Sequence, residues 1–255
     1  MKSIISTLII ILLSCNTLFA QVNIESFRNS ATKKGFYGES KANIQFQKGN
    51  VNSQVYEIKK DLHYKLNKNH ILLKGSASKG FQGKEIYKNN AFVHFRYTIM
   101  LHEFLGYEIF TQTQYDEFRD LSLRQLNGAG IRFEKSLQNN NLFQISSGLG
   151  IMSDHEQLSY ETTTHSRITS YFTLTKYFNE NDSSFISVVT YYQPLLFNHD
   201  DYRINSEIKL RSSIVNRSEY SLGIDTAITY LYDTVPSEKV KNSDFILKSG
   251  IIFSW

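Results

Sequence analysis

Ser153-Asp154-His155 puts a hydroxyl, a carboxylate and an imidazole in successive positions. Those are the residue types of nucleophilic hydrolysis, which needs nucleophile, base and orienting group within hydrogen-bond reach of one another. Successive side chains of an extended chain point to opposite sides, so three neighbours on a strand end do not converge. Seven histidines raise the question of a metal. His63, His70, His94, His102, His155, His165 and His199 show no tight ligand spacing of the kind a dedicated site has, so neither a metal nor a cofactor is expected. Gly128-Ala129-Gly130 and Gly148-Leu149-Gly150 look like fragments of a phosphate loop. Neither opens a helix, as a dinucleotide fingerprint must. Glycine at alternate positions reads instead as room for large neighbouring side chains, or as a bend in a strand.

The remaining chemistry is charge. Arg96, Arg124, Arg132, Arg203, Lys209, Arg211 and Lys248 alternate with apolar residues, as do Glu57, Asp61, Glu108, Glu134, Glu207 and Asp225. They can act together only if some element turns them all the same way. Alternation with period two does so, because it is the signature of a strand with one apolar and one polar face. Ala91, Val93, Phe95, Tyr97 and Ile99 oppose His94, Arg96 and Thr98. Tyr202, Ile204, Ile208, Leu210 and Ile214 oppose Arg203, Asn205, Glu207, Lys209 and Arg211. Phe185 to Gln193 is apolar on both sides, which leaves its register open. The pattern recurs about twelve times. Breaks fall at Gly49-Asn50, 67–69, 79–90, 102–103, 116–120, 138–141, 154–165, 179–182, 194–200, 216–217 and 233–242. Connections after even-numbered strands read as short turns. Those after odd-numbered strands read as mostly longer polar loops, the first excepted.

An apolar face on every strand needs a cover. The C-terminus suggests lipid. Lys248, Gly250, Phe253 and Trp255 match the closing signal of bacterial outer-membrane barrels, and the chain ends there on an aromatic. A soluble protein seldom ends on a bare apolar edge. In lipid every backbone group needs a partner, so the sheet must close on itself. The fold class expected is therefore all-β: an antiparallel, transmembrane up-and-down barrel of about twelve strands in a single domain over residues 35–255. Residues 1–20 read as a signal peptide, with Lys2, an apolar stretch from Ile4 to Leu13 and Ala20 at the cut. Residues 21–34 form a short periplasmic segment. Leu12-Leu13-Ser14-Cys15 also allows a lipoprotein reading with Cys15 acylated. The location that follows is the outer membrane of a Gram-negative bacterium, with both termini periplasmic. The partners that follow are outer-membrane lipid and, through the last strand, the barrel-assembly machinery.

Composition fits. Tyr (16) and Phe (18) are abundant, as aromatic girdles require, and the two prolines fall in connections. Past residue 20 no apolar run is long enough for a membrane helix. A formal charge of +4, scattered along the chain, is too mild to argue for a nucleic-acid surface.

Tyr115-Asp116-Glu117-Phe118-Arg119-Asp120-Leu121-Ser122-Leu123-Arg124, followed by Gly128-Ala129-Gly130-Ile131-Arg132-Phe133, resembles the salt-induced outer-membrane protein family (domain of unknown function 481). The likeness extends from about Gly35 to Trp255. Ile131 stands where that family has Tyr. The resemblance implies an outer-membrane barrel, with a link by name to salt stress, and no catalytic residues.

Two outcomes follow for the inner charges. They brace the wall as a salt-bridge network and leave little pore, or they line a narrow passage for small solutes or ions. Eight strands are filled by side chains and sixteen to eighteen leave a channel, so twelve lies between. Two other classes compete: a membrane-embedded hydrolase using Ser153 and His155, and a binding surface made by loops 79–90, 154–165 and 233–242.

Overall fold

The computed structural model describes residues 34–48, 52–137, 142–178, 184–217, 219–236 and 241–255. The leader, nearly all of the 21–34 segment, and the turns expected at Gly49-Asn50, 138–141 and 179–182 lie outside them. The described residues form twelve strands: β1 (Gly35–Gln47), β2 (Ser53–Leu66), β3 (Asn69–Gln82), β4 (Glu85–Met100), β5 (Leu105–Asp116), β6 (Leu121–Ser136), β7 (Phe143–Leu158), β8 (Thr162–Tyr177), β9 (Phe185–Pro194), β10 (Tyr202–Asn216), β11 (Ser221–Asp233) and β12 (Ser243–Ser254). One turn of 3-10 helix, Glu117–Arg119, joins β5 to β6. Each strand pairs antiparallel with the next, and β12 returns to β1, so the sheet is a closed barrel.

Alternation explains both walls. Leucine, isoleucine, valine and aromatic side chains stand exposed on the outside, among them Ile58, Val93, Ile109, Ile151, Phe172 and Ile208. The buried side of a single closed layer is its inside, and there Asp61, Arg96, Gln112, Arg167 and Lys209 are covered. The order of polarity is the reverse of a water-soluble barrel, and it matches a wall facing hydrocarbon. The open register of β9 resolves with Phe185, Ser187, Val189, Tyr191 and Gln193 inward.

Two polar stretches expected as loops are strand. Residues 79–90 are the ends of β3 and β4, joined by a tight turn at 83–84 in which Gly83 takes φ +62. Residues 154–165 are the ends of β7 and β8, joined through 159–161. The reason is local. Beyond the apolar band both faces of a hairpin are polar, so alternation vanishes while pairing continues. Long and short connections therefore do not alternate as expected; extended hairpins replace long loops. A bulge also departs from the expected faces. Register shifts at Leu121/Leu123 and Gln114/Asp116 turn Leu121 inward, where it is buried.

Candidate functional site

The interior is the one place where these strands concentrate charge. Its upper part, toward the β7–β8 turn, is organised around Asp154 on β7. Arg124 of β6 donates to it twice at 2.8 Å, Arg167 of β8 at 3.1 Å and Arg203 of β10 at 2.8 Å. Glu156, two residues on, pairs with Arg124 and Arg203, each at 3.0 Å. Asp201 and Asp233 take the outer ends of Arg167 and Arg203, at 3.0 and 2.8 Å. Three guanidinium groups thus meet four carboxylates drawn from β7, β11 and the β9–β10 connection.

A middle layer mixes charge with aromatic rings. Arg96 donates to Glu108 at 3.2 Å, and the Tyr171 hydroxyl donates to the same carboxylate at 3.0 Å. Arg132 donates to that hydroxyl at 2.8 Å and to Glu134 at 3.0 Å. Tyr171 can lie there because Gly148, beside it on β7, has no side chain; a Cβ would sit inside the ring. Gly128 makes the same room for Phe110. Tyr171, Val189 and Tyr191 form an apolar cluster next to this layer.

The lower layer holds Arg211, which pairs with Asp225 (2.7 and 3.1 Å) and with Glu39 of β1 (2.6 and 2.9 Å). Lys209 and Lys41 approach Asp225 at 3.8 and 4.0 Å. Glu207 accepts from Thr229 at 3.3 Å. Lys248 reaches Glu57 on β2 at 2.8 Å. Of the C-terminal signal, Gly250 abuts Asn43, and Phe253 points outward against Tyr220. The Trp255 ring lies tilted against Phe36, and its backbone exchanges bonds with Gly38 at 2.9 and 3.0 Å.

Ser153-Asp154-His155 does not assemble as a triad. Asp154 is the interior hub, whereas Ser153 lies on the outer face and His155 faces Thr164 across the hairpin at 2.8 Å. The hub itself escaped the sequence reading, as did Glu39, Lys41, Glu156, Arg167 and Tyr171. The signal for Asp154 and Glu156 was their spacing of two with Met152, hidden by the polar surroundings.

These layers leave little free space. Leu72, Arg124, Val189 and Asp225 are 1%, 2%, 0% and 0% exposed, although they come from β3, β6, β9 and β11 around the ring. Walls of a water-filled channel would be wetted. A cavity of about 340 Å³ lies at one mouth above the Asp154 hub, bounded by Arg124, Arg203, Leu231 and Tyr232. Arg119 of the 3-10 turn crosses this mouth to an ion pair with Asp244 of β12.

A protein-family profile described as "Protein of unknown function, DUF481" matches residues 41–255. The chain belongs to the DUF481 family. The segment 115–133 lies inside the matched span of this DUF481 protein. A search among curated proteins finds no match. Among solved structures, the barrel is similar to the NanC porin, with 10% identity, a TM-score of 0.47, and coverage of 86% of this chain and 97% of that one. It is also similar to the translocator domain of autotransporter NalP from Neisseria meningitidis, with 8% identity, a TM-score of 0.43, and 90% of each chain covered.

Proposed function

We propose that this DUF481 protein is an outer-membrane barrel whose interior is braced shut: a structural component of a Gram-negative envelope, not an open pore. The observation that carries this reading is the burial of charged side chains right round the inner wall, from Asp61 on β2 to Asp225 on β11. Buried charges persist only where partners compensate for lost hydration, and here arginine–carboxylate pairs cross the lumen between strands that are not neighbours. The apolar outer wall supports residence in lipid. In this reading the leader is removed after Ala20, both termini are periplasmic, and the assembly machinery engages Lys248, Gly250, Phe253 and Trp255. A link to salt stress fits a wall whose bracing pairs are sheltered from bulk ions. Planar-bilayer recording of the folded protein tests the proposal. Silence is expected; steady single-channel conductance overturns it.

A further inference from the structure

The barrel closes by an incomplete seam. Among the described residues the β1–β12 ladder runs only from Glu39–Ser254 to Ala42–Ile251. Yet β1 stays paired with β2 as far as Gln47, and β12 with β11 from Ser243 onward. Gly38 and Trp255 exchange both backbone bonds. By the antiparallel alternation, the main-chain groups of Ile44 and Phe46 therefore face those of Ser249 and Leu247 across the gap. Among the described residues, backbone pairing between the two strands stops above Ala42, where the Asn43 side chain is set against Gly250. Unmatched backbone is strongly disfavoured in pure hydrocarbon, where no water can satisfy it. A split wall of this kind asks for a polar group between the strands.

The side chains describe that group. Outside the split, Ile44, Phe46, Leu247 and Ile251 are 62%, 66%, 57% and 62% exposed and wholly apolar. Immediately inside it stands a basic cluster. Lys248 and Lys59 approach the Glu57 carboxylate at 2.8 and 3.6 Å, Lys88 acts on the same carboxylate, and Lys41 lies beside Asn43 at Gly250. Asn43 donates to Glu57 at 2.7 Å, and its own carbonyl oxygen is buried without a hydrogen-bond partner. Two ammonium groups thus lie within 4 Å of the Glu57 carboxylate, Lys41 stands at 4.0 Å from Asp225 beside them, and Lys88 acts on Glu57 and Asp116 from farther off.

We infer that the β1–β12 seam is a binding site for an anionic amphiphile: a phosphate-bearing lipid whose headgroup enters between the strands to the lysines while its acyl chains stay against the apolar outer wall. The site rests on the membrane reading above. That reading fails if the folded chain is soluble without detergent, whatever the lysines do.

The test is native mass spectrometry of the full chain folded in nonionic detergent, with phosphatidylglycerol, phosphatidylcholine or inorganic phosphate added. Phosphatidylglycerol is expected to be retained roughly tenfold or more over phosphatidylcholine, each lysine near an anionic headgroup being worth on the order of a fivefold gain. Lys59→Gln with Lys248→Gln abolishes the preference, and the corresponding arginine pair keeps it. Equal retention of the two lipids, an unchanged preference in the glutamine pair, or inorganic phosphate bound as tightly as phosphatidylglycerol overturns the proposal. If the glutamine pair does not fold, the seam is locked instead by Ile44→Cys with Ser249→Cys in a Cys15→Ser background. The oxidised form then loses phosphatidylglycerol and the reduced form regains it; identical binding in both states overturns the proposal.

Discussion

Asp154 shows how much one residue carries in a wall a single layer thick. Its carboxylate is 1% exposed and serves Arg124, Arg167 and Arg203 at once. Removing one member of a buried ionic group leaves the others uncompensated, at a cost of about 3–5 kcal/mol. Asp154→Ala is therefore expected to lower the unfolding free energy of the micelle-bound protein, read by urea titration, by an amount in that range. Ser153→Ala, one residue away on the outer face, is expected to change it by no more than about 0.5 kcal/mol. Equal effects would show that the two residues share an environment. Alternation alone set Arg96, Glu108 and the β10 charges opposite their apolar neighbours, but it left β9 open and put Leu121 on the wrong face. Which charge meets which was not legible. Arg203 reaches Asp154 from three strands away, and Arg211 reaches Glu39 across the seam. Such meetings depend on the curvature of the closed ring, which no local spacing records.

Strands were legible where one side faces an apolar medium and illegible where it does not. Lys79 on β3, Thr113 on β5, Gln125 on β6 and His155 on β7 occupy outward positions near the far ends of their strands, and Thr111 bonds Asn127 there at 2.8 Å. With both faces polar, a hairpin has the composition of a loop, so 79–90 and 154–165 read as breaks. The last strand behaved differently because its signal is chemical as well as periodic. Trp255 holds the paired end of the seam through two backbone bonds to Gly38 and a ring contact to Phe36 at 5.6 Å. Since β1 and β12 share the shortest ladder of the barrel among the described residues, losing its terminal rung removes a large part of it. Deletion of Trp255 is expected to slow folding into lipid vesicles, read as the rate at which the compact, faster-migrating band appears on unheated gels. The substitution Phe172→Ala, at an outward aromatic on β8 far from the seam, serves as the comparison and is expected to fold faster than the truncated chain. The opposite order would place the rate-limiting closure elsewhere.

At the scale of the molecule the question is whether the inner wall is wet. Salt answers it, because ions screen charges only where water carries them. The Debye length falls from about 10 Å at 0.1 M to about 3 Å at 1 M, and exposed pairs weaken accordingly while buried ones change little. The pairs that matter here are Arg124–Asp154, Arg96–Glu108 and Lys209–Asp225, each formed by side chains no more than 4% exposed. If they brace a filled lumen, the urea midpoint of the folded barrel in nonionic micelles stays constant across that range of sodium chloride. If they line an aqueous passage, stability falls as salt rises, and most of the fall is complete by a few tenths molar. The Arg119–Asp244 pair supplies an internal contrast, since it spans the mouth beside the cavity with side chains 10% and 12% exposed, more than those of the hub. Arg119→Gln is expected to leave the midpoint salt-independent and to lower the unfolding free energy by about 1–3 kcal/mol, between the ranges of an exposed and a fully buried ion pair. A midpoint that drops with salt in the unaltered protein, and equally so after Arg119→Gln, would mean that water and ions reach the Asp154 hub and that the barrel is open.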